Sequence, residues 1–278
     1  MAQSVPARKQ DYERNVVYLY QFPRARCCPS MSPFSLKMET WLRMADIKYE
    51  NIDNKFRVTS AKGQVPFIEL NGKQIADSGE IIRELIDIFK RQNLDPQTDD
   101  QKWQAVAIDR IIEGSLLWTL IYWRSQNLKD RLMGEWKHQF SGVFKMMLPV
   151  VTWQQQRALR TKTFHHGVGR NSLDENENTA KADLTALSLF LGSKRFMFGD
   201  RPNSIDATAF GHLAQILWGS VADRPAKRHL TDNCRNLHHY LVRIKNEFWP
   251  DWDKAVTQSS MDSNWKKAPV VSAEVQSA

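Results

Sequence analysis

The feature that most constrains the fold is a strand-like run followed by a loop and a helix that begins at Ser-Pro. Residues 16–22 are apolar, β-branched or aromatic over the length of one strand. Ser32 and Pro33 follow after a loop, and the next residues keep an apolar helical face that includes Trp41. Serine is a favoured helix N-cap, and proline is a favoured first helical residue. The pattern therefore predicts a strand, a loop and a helix with a hydroxyl at its positive end.

Three further strands and a second capped helix follow this unit. The strand-like segments are residues 47–52, 65–70 and 73–76. Asn71 and Gly72 form a favoured two-residue hairpin turn between the last two segments. Asp77 and Ser78 then begin an amphipathic helix. With an optional helix before the third strand, the order βαβ(α)ββα indicates a thioredoxin-like domain of about 80 residues.

The patterning changes at residues 94–98, Leu-Asp-Pro-Gln-Thr, and is helical from residue 99 onward. The predicted fold class is α/β plus all-α, with an N-terminal thioredoxin-like domain and a C-terminal helical domain. Two of the predicted helices cover residues 128–148 and 150–161. The predicted division is a flexible N-terminus (1–14), the thioredoxin-like domain (15–93), a linker (94–98), the helical domain (99–252) and a disordered tail (253–278).

Composition excludes several functional classes. The N-terminus has no apolar signal region, and the longest apolar run is too short to span a bilayer. We therefore expect a cytoplasmic protein with no membrane span. The net charge is +8, which by itself would suggest a nucleic-acid partner. We read the basic residues as scattered among acidic ones, and this distribution argues against such a partner.

The cysteines and histidines do not indicate a disulfide framework or a metal site. Two of the three cysteines, Cys27 and Cys28, are adjacent, and the pattern favours a reducing compartment. The paired histidines at 165–166 and 238–239 do not share a helix face, unlike an i, i+4 pair. We therefore predict no bound metal.

The domain order is similar to that of cytosolic glutathione transferases, and specific strings resemble the failed axon connections family. That family comprises glutathione-transferase-like relatives of the metaxins. The resemblance spans roughly residues 16–252. The strings that carry it are residues 21–24, 29–34, 36–40, 42–46, 166–170, 206–215 and 248–252.

The resemblance implies glutathione as a co-substrate, held by two elements of the first domain. Val65 and Pro66 stand where glutathione transferases have a cis-proline loop, whose backbone pairs with a peptide ligand like an added strand. Asp77 and Ser78 stand where an acidic residue and a serine bind the γ-glutamyl end. A helix N-terminus supplies free N–H groups and a positive dipole at that place. The alternative for Asp77 and Ser78 is a plain helix cap.

A thiol activator is also implied, and several residues are candidates. A free thiol has a pKa of about 8.5, so a hydrogen bond and a helix dipole would be needed to favour the thiolate. Ser32 is the first candidate, since its position matches the reactive cysteine of thioredoxin-like folds. Tyr20, Ser35 and Cys28 remain alternatives, as does the absence of any activator.

Other residues have weaker functional interpretations. By analogy with the fold, Trp118, Tyr122 and Trp123 would line an apolar substrate pocket, although aromatic residues at helical spacing are more often core. Asn203 and Asp206 match the capping box of the helical core, with a role in folding. The string at 166–170 has no assigned chemistry, and we read it as a Gly-x-Gly turn that holds Arg170 against a carboxylate.

The leading functional hypothesis is a cytosolic glutathione-transferase-like protein that binds glutathione and conjugates it to small apolar electrophiles. A homodimer is a further possibility. The competing hypothesis is a non-catalytic interaction protein of the failed axon connections type. The segments around Val65 and Asp77 favour the first, and the long loop after the first strand favours the second.

Overall fold

The computed structural model describes residues 7–57, 60, 62–126, 135, 136, 142–219, 224–264 and 266. The first domain is a four-stranded sheet in the order β2-β1-β3-β4, in which β1 is parallel to β2, and β3 is antiparallel to β1 and β4. Its elements are β1 (Val17–Gln21), α1 (Pro33–Met44), β2 (Tyr49–Asp53), β3 (Phe67–Leu70), β4 (Lys73–Ala76) and α2 (Ser78–Phe89). This is the predicted thioredoxin-like domain. The described residues between β2 and β3 contain no helix.

Side chains alternate between the two faces of the sheet, as the strand period requires. One face packs on α1 and α2 and is formed by Val17, Leu19, Ile68 and Leu70. The other face carries Tyr18, Tyr20 and Phe67. Because the described chain has no helix to cover this second face, another segment must cover its rings.

The N-terminal segment covers the second face of the sheet. The backbone N–H groups of Arg8 and Lys9 donate to the Glu69 carboxylate at 2.9 and 3.1 Å. The cationic groups of the same two residues lie over the rings of Phe67 and Tyr18. The sequence predicts a flexible N-terminus over residues 1–14. That prediction is wrong for residues 7–9, because Glu69, the rings of Phe67 and Tyr18, and the Gly72 carbonyl hold these residues against the sheet.

The second domain is helical. Its elements are α3 (Asp99–Asp109), a π-helical segment (Arg110–Leu116), α4 (Leu117–Gln126), α5 (Gly142–His166), α6 (Leu173–Leu191), α7 (Ser204–Leu217), α8 (Pro225–Arg228), a second π-helical segment (His229–Asn233), α9 (Arg235–Phe248) and α10 (Trp252–Thr257). The boundary predicted between helices 128–148 and 150–161 is wrong, since α5 continues through Pro149. Residues 128–134 and 137–141 of the first of these helices lie outside the described residues.

Helix α7 is the centre of the second domain and is buried along its whole length. Asn203 and Asp206 form the predicted capping box at its start. Asp206 also accepts hydrogen bonds from the backbone N–H of Met197 and from the hydroxyl of Tyr240, both at 2.8 Å. Burial raises the pKa of Asp206 to about 6, against these hydrogen bonds. The carboxylate therefore ties three elements together, as a folding role requires.

A buried ion-pair cluster fixes α1 to the loop that precedes it. Glu39 of α1 is fully buried, and its carboxylate accepts bonds from Nη1 and Nη2 of Arg24 at 2.6 and 2.8 Å. Arg43 donates to the same carboxylate at 3.3 Å. Burial alone would raise the pKa of Glu39, but the two arginines hold this pKa well below its usual range. The neutral donors to Glu39 are Gln21, Tyr49 and Asn51.

Arg43 extends this cluster to the end of the second domain. It donates to both carboxylate oxygens of Asp251, at 2.5 and 3.0 Å. Its guanidinium carbon lies 3.7 Å from the centre of the Trp249 ring. Trp249 and Asp251 belong to the string at 248–252, which carries part of the family resemblance. They therefore join the second domain to the charged network of the first domain.

The chain after α10 crosses back over the first domain. Arg24 Nε donates to the carbonyl of Ser260 at 3.0 Å, and Asn51 Nδ2 donates to the carbonyl of Met261 at 3.2 Å. The sequence predicts a disordered tail over residues 253–278. That prediction is wrong for residues 253–264, because residues 253–257 continue the helix α10, and Ser260, Met261 and Ser263 then bond to the first domain. The remainder, 265 and 267–278, lies outside the described residues.

Replacing Glu39 with glutamine should destabilise the fold strongly, because buried Arg24 would lose the carboxylate that it pairs with and Arg43 would lose one of its two carboxylate partners. The expected loss is about 3–5 kcal/mol in the free energy of unfolding, measured by urea denaturation near neutral pH. Glu50→Gln on β2 removes an exposed carboxylate and is the matched control, with an expected change within about 0.5 kcal/mol.

The same pair of variants tests the pH dependence. The folded-state pKa of Glu39 is lowered from its ordinary value of 4.5. The ionised carboxylate therefore contributes its full stabilisation of the fold above pH 4.5, and this stabilisation is lost as the pH falls toward the folded-state pKa. The stability difference between wild type and Glu39→Gln should therefore narrow in acid. Equal stability of the two proteins at neutral pH would contradict the proposed role of the cluster.

Candidate functional site

Strand register brings the sequence-predicted ligand elements to one end of the sheet. Phe67, the first residue of β3, pairs with Tyr20 near the end of β1 and with Ala76 at the end of β4. The residues just before β3 therefore lie between the residues that follow β1 and those that follow β4. This places the segment of Val65 beside that of Asp77, at the end of the sheet from which the chain leads into α1.

Val65 and Pro66 stand at the start of β3, and the peptide bond between them is cis, as the resemblance implies. The Val65 side chain is half-buried and packs against the cluster of Tyr20, Phe67 and Ala76. Its backbone is at the end of a strand, where a peptide group is able to pair with a ligand.

Asp77 caps α2 in an unusual backbone conformation. Its φ is +88°, in a region that non-glycine residues adopt rarely, and this makes the residue a candidate for a functional role. Its Oδ1 accepts from the backbone N–H groups of Gly79 and Glu80 at 3.0 and 3.2 Å. Both bonds use the same oxygen, Oδ1, and Oδ2 takes part in neither of them. Ser78, the first residue of the helix, is buried beside it.

Ser32 is the N-cap of α1, as predicted. Its Oγ accepts from the backbone N–H of Ser35 at 3.2 Å. A hydroxyl has one proton to donate and two lone pairs, so this bond leaves the proton of Ser32 available. Ser35 is fully buried, and within the described chain its Oγ has no hydrogen-bond partner. At the start of α1, the Ser32 residue is therefore half-buried, whereas Ser35 is fully buried.

Tyr20, an alternative activator, lies on the sheet face that the N-terminal segment covers. Its hydroxyl donates to Glu69 at 2.8 Å, and its ring stacks on Phe67. Burial and the neighbouring carboxylate raise the pKa of this hydroxyl. Its proton is already engaged with Glu69, so the geometry gives Tyr20 no free donor toward a thiol.

Cys28 is buried in the loop before α1. Its Sγ donates to the carbonyl of Ser30 at 3.1 Å and lies 4.0 Å from Oε1 of Gln215 on α7. Arg124 of α4 donates to the same Gln215 oxygen at 2.7 Å. Composition and spacing did not identify Gln215 and Arg124, because they reach this loop only through the packing of the two domains.

The long loop after β1 is packed rather than open. Trp136 lies against the rings of Phe22 and Phe56, with centroids 6.4 and 5.0 Å away. Its Nε1 donates to the carbonyl of Pro23 at 3.3 Å. Met31, which precedes Ser32, belongs to the same cluster. The loop that leads to Ser32 is therefore packed by aromatic side chains that the sequence analysis did not assign.

The residues predicted to line a substrate pocket do not form one surface. Trp123 and Tyr122 are buried in the core of the second domain. Trp118 is half-buried and stacks on His166, with ring centroids 3.9 Å apart. Of these three residues, Trp118 is the most exposed to solvent.

The string at 166–170 has a packing explanation. Gly167 has a φ of +109°, and a side chain on Gly169 would lie 2.6 Å from the backbone nitrogen of Phe164. Arg170 lies over the Phe164 ring, 5.9 Å from its centre. The expectation that Arg170 is held by a carboxylate is not met among the described contacts. The described residues also contain no group of three or more His, Cys, Asp or Glu side chains arranged for a metal ion.

Comparison with known proteins gives consistent matches at the level of both domains. A family model described as the glutathione S-transferase N-terminal domain matches residues 33–131, and one described as the glutathione S-transferase C-terminal domain matches residues 180–244. A solved glutathione S-transferase of Ceriporiopsis subvermispora in complex with glutathione has a TM-score of 0.58 at 16% identity, covering 84% of this chain and 98% of that one. This likeness supports the fold.

Three relatives are similar over most of this chain. Failed axon connections of Drosophila melanogaster is 36% identical over 276 residues, which is 96% of this chain and 66% of that protein's length. Isoprene-epoxide–glutathione S-transferase of a Rhodococcus species is 27% identical, covering 84% of this chain and 99% of the enzyme. Metaxin-2 of Mus musculus is 23% identical, covering 89% and 94%. This chain thus spans about two thirds of the fly protein.

The support of α1 by α7 can be tested at Gly211. A Cβ on Gly211 would lie 2.5 Å from the carbonyl oxygen of Pro33 and 2.7 Å from the nitrogen of Lys37, so Gly211→Ala must push α1 away. We expect a loss of about 1–3 kcal/mol in unfolding free energy by denaturant titration. At Gly114, a Cβ would meet nothing within 4 Å, so Gly114→Ala should be neutral or stabilising. Equal effects of the two substitutions would refute the close contact.

Proposed function

Because the chain belongs to the glutathione-transferase-like family that includes Failed axon connections and the metaxins, we propose that it binds glutathione at the end of the sheet where β1 and β4 end and β3 begins. The observation that carries this proposal is the pairing of Phe67 with both Tyr20 and Ala76. This register gathers a free strand end at Val65 and two helix N-termini, those of α1 and α2. A peptide with an anionic thiolate and an anionic carboxylate fits such a set of groups.

The γ-glutamyl end would bind at the start of α2. Its carboxylate is suited to the positive end of that helix and to the Ser78 hydroxyl. Its ammonium group is suited to Oδ2 of Asp77, since Oδ1 is already engaged with Gly79 and Glu80. The φ of +88° at Asp77 holds its carboxylate at this end of the helix.

The thiol would lie at the start of α1, where Ser32 keeps a hydroxyl proton to donate. That hydrogen bond and the helix dipole would stabilise the thiolate that remains after the thiol loses its proton to water. The thiolate would attack an electrophilic carbon, as in an epoxide, so that the C–S bond forms while the C–O bond breaks. The electron pair of the broken bond would pass to the oxygen, which takes up a proton from water. A small apolar electrophile is the substrate class that we propose. The relative named isoprene-epoxide–glutathione S-transferase supports this class, since it covers 84% of this chain.

The competing proposal is that the chain is a non-catalytic interaction protein, and one observation favours this proposal. Trp136 and Phe56 fill the side of the loop that leads to Ser32, so that loop serves as packed structure. The relative at 36% identity supports this second function, since its name, Failed axon connections, refers to axons and not to conjugation. The two functions differ first in whether glutathione reacts faster on the protein than in solution.

Ser78→Ala should weaken glutathione binding, measured by isothermal titration calorimetry. Loss of one hydrogen bond to a charged group costs about 1.5–3 kcal/mol, which corresponds to a decrease in affinity of roughly tenfold to a hundredfold. Turnover at saturating glutathione should change less, because the ground state and the transition state lose the same contact. If wild-type protein does not bind glutathione at millimolar concentration, the proposal fails and the interaction function is favoured.

Ser32→Ala should leave glutathione affinity nearly unchanged and raise the pKa of the bound thiol, followed through the ultraviolet absorbance of the thiolate. Turnover with a model epoxide should fall on the order of a hundredfold. Ser172 is the N-cap of α6, so Ser172→Ala removes the same kind of cap far along the chain. It should cost similar stability, about 1 kcal/mol, without changing the thiol. Similar effects of both variants on the thiol pKa would exclude Ser32 as the activator.

A further inference from the structure

Acidic residues are absent from one long segment of an otherwise mixed chain. Residues 136–173 contain no aspartate or glutamate. The basic side chains in this segment are Lys137, His138, Lys145, Arg157, Arg160, Lys162, His165, His166 and Arg170. This segment contains α5, so the reading of the basic residues as scattered among acidic ones does not hold there.

The outward face of α5 is apolar over its N-terminal half. Met146, Val150 and Trp153 follow one another at i, i+4 and i+7, which places them in one line along the helix. Their side chains are 81%, 56% and 59% exposed. The opposite face, which includes Leu148 and Thr152, is buried. Large apolar side chains in a line on a surface indicate a docking site rather than random exposure.

Arg157 continues the same line toward the C-terminus of α5. The guanidinium carbon of Arg157, one turn after Trp153, lies 5.8 Å from the centre of the Trp153 ring. Lys162 is exposed further along the helix, on its flank rather than in the line itself, because it comes five residues after Arg157. Arg160 Nε donates to the carbonyl of Ser125, which attaches this half of the helix to α4. The helix therefore lies along the protein with a mixed apolar and cationic face outward.

We infer that the outer face of α5 docks on an anionic lipid surface. A helix with an aromatic and aliphatic line, lysines and arginines beside it and no acidic residue has the chemistry of one that lies in the plane of a membrane interface. Its apolar side chains would enter the acyl boundary, and its cations would remain among the headgroups. None of the helices within the described ranges is long and apolar enough to cross a bilayer, so the contact would be peripheral.

The same observations argue against two other partners. A second copy docked through α5 would bring two helices with basic side chains together, and neither helix has a carboxylate to pair with them. A nucleic acid would match the cations but would leave Met146, Val150 and Trp153 in water. An anionic membrane would bind both halves of the face, since its acyl chains match the apolar side chains and its headgroups match the basic ones.

Flotation of the full-length protein with vesicles at physiological ionic strength tests this inference. Phosphatidylcholine mixed with phosphatidylserine should carry the protein to the top of the gradient, and phosphatidylcholine alone should carry much less. Arg157→Gln with Lys162→Gln should weaken the partition coefficient on the order of 30-fold, because each basic residue near the surface is worth about fivefold. Arg201→Gln with Arg235→Gln, at exposed positions outside α5, removes the same charge and should have little effect.

The apolar half of the α5 face is tested by a second double variant and a matched control. Val150→Ser with Trp153→Ser should abolish most of the flotation. Leu189→Ser with Trp103→Ser removes an exposed aliphatic residue and an exposed tryptophan elsewhere, with Trp103 at 60% exposure against 59% for Trp153, and should not change it. All four positions are exposed, so circular dichroism should report a folded protein in each variant.

Four results would overturn the inference. The first is equal flotation with neutral and anionic vesicles, and the second is an equal effect of the α5 variants and the control variants on flotation. The third is a dimer in sedimentation velocity that Val150→Ser with Trp153→Ser dissociates, without vesicle binding by wild type. The fourth is tight oligonucleotide binding that depends on Arg157 and Lys162 but not on Trp153, in a protein that does not float.

Discussion

The buried network of Arg24, Glu39, Arg43 and Asp251 is the interaction on which the rest of the structure depends. Two carboxylates and two guanidinium groups are removed from water together, and each is paired with geometry close to ideal. Desolvation makes such a network costly to form, so its net contribution to stability is modest, whereas removal of one member leaves a buried charge without a partner. The network therefore fixes the arrangement of the parts that it joins more than it adds stability.

That arrangement determines where α1 begins. Arg24 belongs to the loop before the helix, Glu39 and Arg43 to the helix itself, and Asp251 to the end of the second domain. Gly211 adds a steric limit from the other side, because its backbone touches the first turn of α1. The start of α1, where Ser32 is the N-cap, is thus fixed by contacts from both domains. The proposed thiol site follows from this placement and from strand register.

The sequence predicted those features that local chemistry decides. The N-cap at Ser32, the Asn71-Gly72 turn and the cap at Asp77 follow from residue type and short spacing, and the structure contains all three. The Arg43–Asp251 pair joins residues 208 apart in the chain, and no local pattern indicates it. The order of the tail could not be predicted for the same reason. Its polar composition does not indicate that the carbonyls of Ser260 and Met261 accept hydrogen bonds from Arg24 and Asn51. Trp123 could not be separated from Trp118 by helical spacing, because burial against α6 and α7 decides between core and surface.

Backbone amide NMR of isotopically labelled protein, titrated with glutathione, tests the central claim most directly. The account predicts that the largest shift changes occur together at the two segments that register brings side by side, Val65 and Asp77 to Gly79, and at the first turn of α1 around Ser32. Oxidised and S-methylated glutathione would separate contacts made by the peptide from those made by the thiol, which should be confined to the start of α1. Saturable changes restricted to other parts of the chain, or none at millimolar glutathione, would contradict the account.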